Sequence, residues 1–176
     1  MDSLFFILFF CFIIVIFGSA AWAGMKAAPW VPTRQKDIKR MLELAEIKAP
    51  DLVYDLGAGD GRLVLAVARN YAAKVVGFEF SVLPYLVARV KLLLAGFGTR
   101  TKILYRDFYH FNLSEADVIL CFLTPKAMGR LSPKFNRELK SGARIVTYAF
   151  KIKDWPNIKI SKPMPKDTPI FLHFKE

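Results

Sequence analysis

Val53-Tyr54-Asp55-Leu56-Gly57-Ala58-Gly59-Asp60-Gly61-Arg62 decides how this chain is read. A short apolar run closes on an aspartate, passes through three alternating glycines and opens into Leu63, Val64, Ala66 and Val67 at helical spacing. That is a strand, a tight turn and a helix, the first unit of a strand–helix alternation. Glycine at 57, 59 and 61 lets the backbone take positive φ and lie close against a ligand. A dinucleotide fingerprint (G-x-G-x-x-G) would need its last glycine where Arg62 stands. Asp55 and Asp60 also set negative charge at the turn, which opposes a pyrophosphate at the helix N-terminus. Those carboxylates suit a cationic ligand, such as a sulfonium bearing an α-ammonium group.

The alternation continues on both sides. Before the turn, Ile38, Met41, Leu42, Leu44 and Ala45 recur at helical spacing through Ile47, with Thr33 as the expected N-cap and Lys48-Ala49-Pro50 as the stop. Asp51–Asp55 is the first strand and Arg62–Tyr71 the helix after it. Lys74–Phe80 is a second strand, Val82–Ala95 a long helix ended by Gly96, and Lys102–Arg106 a third strand. Ala116–Leu123 is a fourth, nearly all apolar, as a strand covered on both faces must be. Pro125–Leu139 is helical and Ala143–Phe150 a fifth strand. Regular alternation predicts right-handed crossovers and a parallel sheet. Lys151–Lys159 is too short for another crossover helix, so Asn157–Ile160 and Ile170–Phe174 are expected as a closing hairpin with one antiparallel member.

In such a sheet, ligands bind at the carboxyl ends of the strands. The second strand ends in Glu79, about 20 residues past the glycine turn, where a carboxylate can accept both hydroxyls of a ribose. The third ends at Asp107-Phe108, a carboxylate and an aromatic ring placed to meet an adenine. Each feature alone has a bland alternative: a tight turn, a solvated strand end. Together, at three successive strand tips, they define a nucleoside site.

At the N-terminus, Leu4–Met25 runs 22 residues without a charge. As a helix at roughly 1.5 Å per residue it measures about 33 Å, matching a hydrocarbon core of about 30 Å. The small residues Ser19-Ala20-Ala21 and Ala21-Trp22-Ala23 leave a cleavable signal peptide as the competing reading, but Met1-Asp2-Ser3 offers no positive n-region. An uncleaved anchor is expected. Lys26, Arg34, Lys36, Lys39 and Arg40 follow it, so the N-terminus belongs outside and the domain in the cytoplasm. Trp22 and Trp30 bracket the inner end; Trp30 reads either as an interfacial anchor or as ordinary packing.

The chain carries a net charge of +11. Lys126–Lys166 holds 11 basic residues against Glu138 and Asp154 alone. On a tethered body this favours anionic lipid headgroups, at about 1 kcal/mol per well-placed Lys or Arg. A nucleic-acid surface is the rival; the tether accounts for the charge without it, and no basic motif interleaved with aromatics accompanies it. Cys11 in the apolar run and Cys121 in a strand suggest no disulfide, and two well-separated histidines offer no zinc site.

Val53–Gly61, Glu79 and Asp107-Phe108 resemble motif I, the acidic residue after it and the adenine-contacting motif of class I, seven-strand methyltransferases that use S-adenosylmethionine (SAM). The likeness covers roughly residues 50–176. It implies a Rossmann-like, doubly wound, mostly parallel α/β sheet of order 3-2-1-4-5-7-6, preceded here by one transmembrane helix. It further implies Asp55, Gly57, Ala58, Gly59 and Gly61 along the methionine end of SAM, Glu79 on the ribose, and Asp107 and Phe108 at the adenine. The chain is similar in particular to small membrane-tethered lysine methyltransferases whose mitochondrial members modify the ATP synthase c-subunit and the adenine nucleotide translocase. The shared layout is a membrane segment, a short helix, a minimal domain and a Trp in the last connection (Asp154-Trp155-Pro156). Bacterial members are also similar in the linker Ala28-Pro29-Trp30-Val31-Pro32-Thr33.

The expected division is residues 1–25 as anchor, 26–49 as linker and N-terminal helix, and 50–176 as the methyltransferase domain. The expected acceptor is a lysine of a membrane or membrane-associated protein. A lipid-soluble small molecule and a non-catalytic SAM-binding adaptor are the alternatives. After the fourth strand, Phe122-Leu123-Thr124-Pro125 departs from the family pattern, so no catalytic residue carries over. Thr124, Tyr109 and His110 are the candidates on the acceptor side, with Thr124 equally suited to cap the helix beginning at Pro125.

Overall fold

The computed structural model describes residues 2–153, 155 and 158–176, Asp2 by its backbone alone. Elements run in the order α1 (Asp2–Lys26), α2 (Gln35–Ala45), β1 (Leu52–Leu56), α3 (Arg62–Asn70), β2 (Lys74–Glu79), α4 (Val82–Ala95), β3 (Thr101–Tyr105), β4 (Val118–Cys121), α5 (Pro125–Glu138), β5 (Arg144–Tyr148), β6 (Ile158–Ser161) and β7 (Ile170–Phe174). The seven strands form one sheet of order β3-β2-β1-β4-β5-β7-β6. The first five are parallel; β7 runs antiparallel to both β5 and β6. The alternation leads to the parallel strands, the order is the one that the resemblance to class I methyltransferases implies, and the closing hairpin supplies the antiparallel member.

Two apolar clusters cover the sheet. One joins Met41, Val64, Val75, Ala88 and Ile103 with Val118 and Leu172. The other joins Leu56, Phe78, Leu113, Ile119, Leu131, Phe135 and Trp155. β4 is buried at every position, as its run of apolar residues requires. Several boundaries fall inside the expected ones. β4 spans Val118–Cys121 rather than Ala116–Leu123, because Ala116 belongs to the turn before it and Leu123 leads into the α5 cap. α2 ends at Ala45 because Glu46 takes a left-handed conformation and closes the last turn.

Thr33 does not cap α2. The cap position falls on Arg34, with no side-chain bond, while Thr33 is buried and its carbonyl accepts from Arg62 Nη1 at 2.9 Å. Thr33 is held by the glycine turn's arginine instead of by its own helix. Of Asp154-Trp155-Pro156, Asp154 and Pro156 lie outside the described residues, as does Asn157 at the start of the expected hairpin. Trp155 is buried and donates to Ser132 Oγ at 2.9 Å.

Gly77, at the centre of β2, sets how closely α3 and the glycine turn approach the sheet. A Cβ there would sit 2.5 Å from Ile103 Cδ1 and 2.8 Å from both Ala58 Cβ and Val64 Cγ2. Gly77→Ala is therefore expected to destabilise the domain by about 1–3 kcal/mol through overpacking. Urea unfolding in detergent should show a lower midpoint at unchanged slope, with the cofactor site loosened alongside.

Candidate active site

The tips of β1, β2 and β3 meet at one cleft of about 830 Å³, its open mouth included. It is lined by Asp55, Gly57, Ala58 and Gly59 from the first turn, Glu79, Phe80 and Ser81 from the second, and Asp107, Phe108 and Tyr109 from the third. Gly57 (φ +82°) and Gly59 (φ +55°) take the left-handed backbone that the turn demands. Glu79 ties the tips together: Oε2 accepts from the Gly59 amide at 2.8 Å, and Oε1 from the amides of Phe80 and Ser81 at 2.8 and 2.6 Å. Three backbone donors hold this carboxylate side-on at the cleft wall.

Asp55 is 1 % exposed, and its Oδ2 has no hydrogen-bond partner. Burial, followed by the nearby charges of Glu79 and Asp60, pushes its carboxyl up to about 8. A buried, unpartnered carboxylate oxygen in a cleft is suited to a cationic donor. Asp60, in contrast, is committed elsewhere. Burial would raise its pKa, but bonds from Arg62 and from Lys91 (2.5 Å) bring it down to about 2. The charge of Asp60 is thus matched by Arg62 and Lys91, and the acidic groups left to a ligand at the turn are Glu79 and, once it ionises, Asp55.

Seven of the eight expected cofactor residues line this cleft. Gly61 does not: it starts α3 at φ +77°, and a Cβ there would meet Ala88 Cβ at 3.0 Å, where α3 packs close to α4. Asp107 starts a short 3₁₀ turn, accepting from the Tyr109 amide at 2.9 Å and pairing with Lys26 Nζ at 2.8 Å. Burial raises its pKa, but Lys26 and the Tyr109 amide more than offset this and hold the carboxyl below the usual range.

The three acceptor-side candidates separate. Thr124 caps α5: its hydroxyl accepts from the Ala127 amide and donates to the Ala27 carbonyl at 2.7 Å. His110 is exposed and is not among the residues that line the cleft. Tyr109 alone lines the cleft, its hydroxyl donating to the Lys26 carbonyl at 3.2 Å and its ring stacked beneath Arg130 at 4.1 Å.

The opposite wall is not legible in the sequence. Lys26 to Thr33 lie across the cleft, and the Trp30 indole sits so close over Gly59 that a Cβ there would fall 2.8 Å from its Nε1. The Ala27 carbonyl accepts from the hydroxyl and amide of Thr124, and the Lys26 carbonyl accepts from Tyr109 and Arg130. Two prolines give this stretch an extended shape without naming its partner; the Pro-Trp-Val-Pro pattern is the one available signal.

A seven-stranded sheet of this order, with its cleft at the tips of the first three strands, is the class I methyltransferase architecture. A family model described as the ANTKMT methyltransferase domain matches residues 55–159. The chain belongs to that family, and it is a methyltransferase whose methyl donor is SAM. A protein-lysine N-methyltransferase of Saccharolobus islandicus (strain REY15A) is 38% identical over 128 residues, covering 72% of this chain and 80% of the relative. The human lysine N-methyltransferase named for the ATP synthase c-subunit is 30% identical over 129 residues, 72% of this chain but 54% of its own length. This chain thus spans about half of such animal relatives. Among solved structures, an RNA methyltransferase from Salinibacter ruber in complex with S-adenosyl-L-homocysteine is 32% identical, covering 83% of this chain and 95% of its own, with a TM-score of 0.77. The unpartnered Asp55 oxygen, the glycine turn and the side-on Glu79 fit such a donor.

The raised carboxyl of Asp55 has a pH signature. Between about 4 and 8 the folded protein keeps a proton that the unfolded chain has released, so stability falls as pH rises through that window and levels off above it. Asp55→Asn removes the titration. Without cofactor, the variant is expected to be more stable than the parent at pH 7 and to lose the slope between pH 5 and 8. Thermal unfolding across pH reads both.

Proposed function

We propose that this chain transfers a methyl group from SAM to the ε-amine of a lysine in a membrane or membrane-associated protein. Residues 1–25 act as the anchor, with the N-terminus outside; residues 26–49 connect it to a cytoplasmic catalytic domain, residues 50–176. The observation that carries this reading is the joint between α1 and the cleft. α1 has the length and composition to cross a bilayer, and its last residue, Lys26, forms part of the cleft wall through Asp107, Tyr109 and Arg130. A site built onto the end of such a helix works at the membrane surface. The lysine methyltransferases among the relatives, including those named for the ATP synthase c-subunit and the adenine nucleotide translocase, support the acceptor.

Bound SAM supplies a methyl group on a sulfonium, activated for in-line attack without an enzymatic nucleophile. The chain's own residues bind and align. In this proposal Asp55 receives the α-ammonium, Gly57, Ala58 and Gly59 let the methionine end lie against backbone, and Glu79 accepts the ribose hydroxyls. Asp107 and Phe108 hold the adenine. Phe80, Phe122 and Leu123 keep the cleft poor in water. The acceptor must arrive as a free amine, and taking a lysine from its ordinary pKa of about 10.4 to neutrality at pH 7 costs about 4.6 kcal/mol. Lys26 and Arg130 at the cleft edge, together with apolar walls, lower that cost by disfavouring a second ammonium. Tyr109 serves as a hydrogen-bonding wall rather than a base: burial raises its phenol pKa, so it stays protonated.

Purified full-length protein, methyl-labelled SAM and membranes from a deletion strain test the acceptor. Label is expected in protein, stable to acid and base, and mapping to lysine. Label in the lipid extract or in RNA overturns the lysine assignment, and SAM binding without transfer makes the chain an adaptor.

Glu79→Gln is expected to weaken SAM binding by at least tenfold, about 1.4 kcal/mol or more. An unchanged dissociation constant by calorimetry removes Glu79 from the ribose role. Because Asp55 must ionise to receive an ammonium, affinity for SAM should rise from pH 6 to 8 and then level off, and this slope should vanish in Asp55→Asn.

A further inference from the structure

α4 is apolar on the side where a crossover helix normally meets water. Its inner side is spent on the core, with Pro84 and Ala88 buried and Leu92 packed against the cluster around Met41 and Val64. Its outer side presents Leu83, Leu86, Val90, Leu93 and Leu94, exposed by 44, 46, 55, 82 and 82 %. Positions 83, 86, 90 and 93 follow the three-and-four spacing of a single helical stripe, and Leu94 widens it by one position. Arg89 and Lys91 are the charges within the helix, and Lys91 is drawn away to Asp60. A helix apolar all round is covered all round, and a contiguous exposed apolar patch marks an interaction surface.

Two features point to what covers it. First, α4 packs on α1, and the amide of Val82, at its start, donates to Ser19 Oγ at 3.1 Å. Ser19 lies seven residues before the end of α1, about 10 Å along its axis. The first turn of α4 therefore sits beside the body of the apolar helix, whose own large side chains are exposed along its length. Second, Arg89, Arg100 and Lys102 stand exposed around the far half of α4 and the connection after it. Apolar side chains flanked by cations match an acyl boundary beneath anionic headgroups.

We propose that α4 is a second membrane-contacting element, its Leu83–Leu94 stripe lying in the interfacial layer of an anionic bilayer beside α1. The proposal rests on α1 spanning that bilayer, and goes beyond it by assigning the domain a fixed, edge-on seat. α4 begins three residues after Glu79 and bears on Gly61 through Ala88, so the seat places the cofactor cleft at the membrane surface.

Spin labels on the full chain in phosphatidylcholine vesicles containing phosphatidylglycerol test the two ideas separately. Native Cys11 is exposed on α1 and reports the span, whereas Cys121 is buried and inert. Val90→Cys and Leu93→Cys, each with Cys11→Ser, report the stripe. Ser114→Cys in the same background, on the exposed loop before β4 at the amino end of the parallel strands, is the aqueous reference. Labels at 11, 90 and 93 should collide several-fold more with oxygen than with a water-soluble nickel chelate, and the label at 114 should show the reverse. A lipid signal at 11 with aqueous signals at 90 and 93 overturns the stripe's role and leaves the span intact. An aqueous signal at 11 removes both. Dipolar broadening at 90 or 93 assigns the stripe to a second copy of the chain and overturns the lipid occupant. Two label sites, each accepted only with unaltered thermal unfolding, keep one misfolded variant from deciding the matter.

Discussion

The carboxylate of Glu79 is the joint on which the cleft depends. It takes one amide from the glycine turn after β1 and two from the start of its own loop, so two strand tips are fixed by one side chain. It acts beside the Phe78 carbonyl, which accepts from the amides of Gly57 and Ala58, so that side chain and backbone together direct the turn. The charge of Glu79 adds to burial in raising the cost of ionising Asp55, a cost that a cationic ligand beside both groups would relieve. The same carboxylate thus shapes the backbone and sets the electrostatics of the cavity.

Much of this was legible in the residues. Strand–helix alternation gives a parallel sheet, and glycines at 57 and 59 with acids closing β1 and β2 mark the cleft, because strand ends are where ligands go; the order of the strands comes from the resemblance to class I methyltransferases. Asp55, Gly57, Ala58, Gly59, Glu79, Asp107 and Phe108 meet there. What escaped the sequence is long-range. Gly61 is outside the cleft lining and packs close to Ala88, a placement that spacing alone does not give, since it cannot tell a backbone that approaches a ligand from one that approaches a helix. Asp60 looks like part of an acidic turn until Lys91, 31 residues on, is seen to reach it. Thr33 looks like a cap, but its carbonyl is taken by Arg62.

The segment from Lys26 to Thr33 is the plainest case. Its prolines speak of an extended chain, and an extended chain between an apolar helix and a domain reads as a spacer. In the folded protein it is a wall, pinned at one end by Thr124 and at the other by Arg62, with Trp30 laid over Gly59 between them. No local pattern encodes that, because each partner lies in a different strand–helix unit.

A pinned connector also defines a working height. A catalytic domain on a loose leash can search a hemisphere of substrate positions, whereas one whose leash is part of its own pocket is held at a constant altitude above the lipid. On the proposed seat, an acceptor amine would be measured by its elevation before its neighbouring residues were ever compared. The domain would then choose its target partly as a depth gauge does.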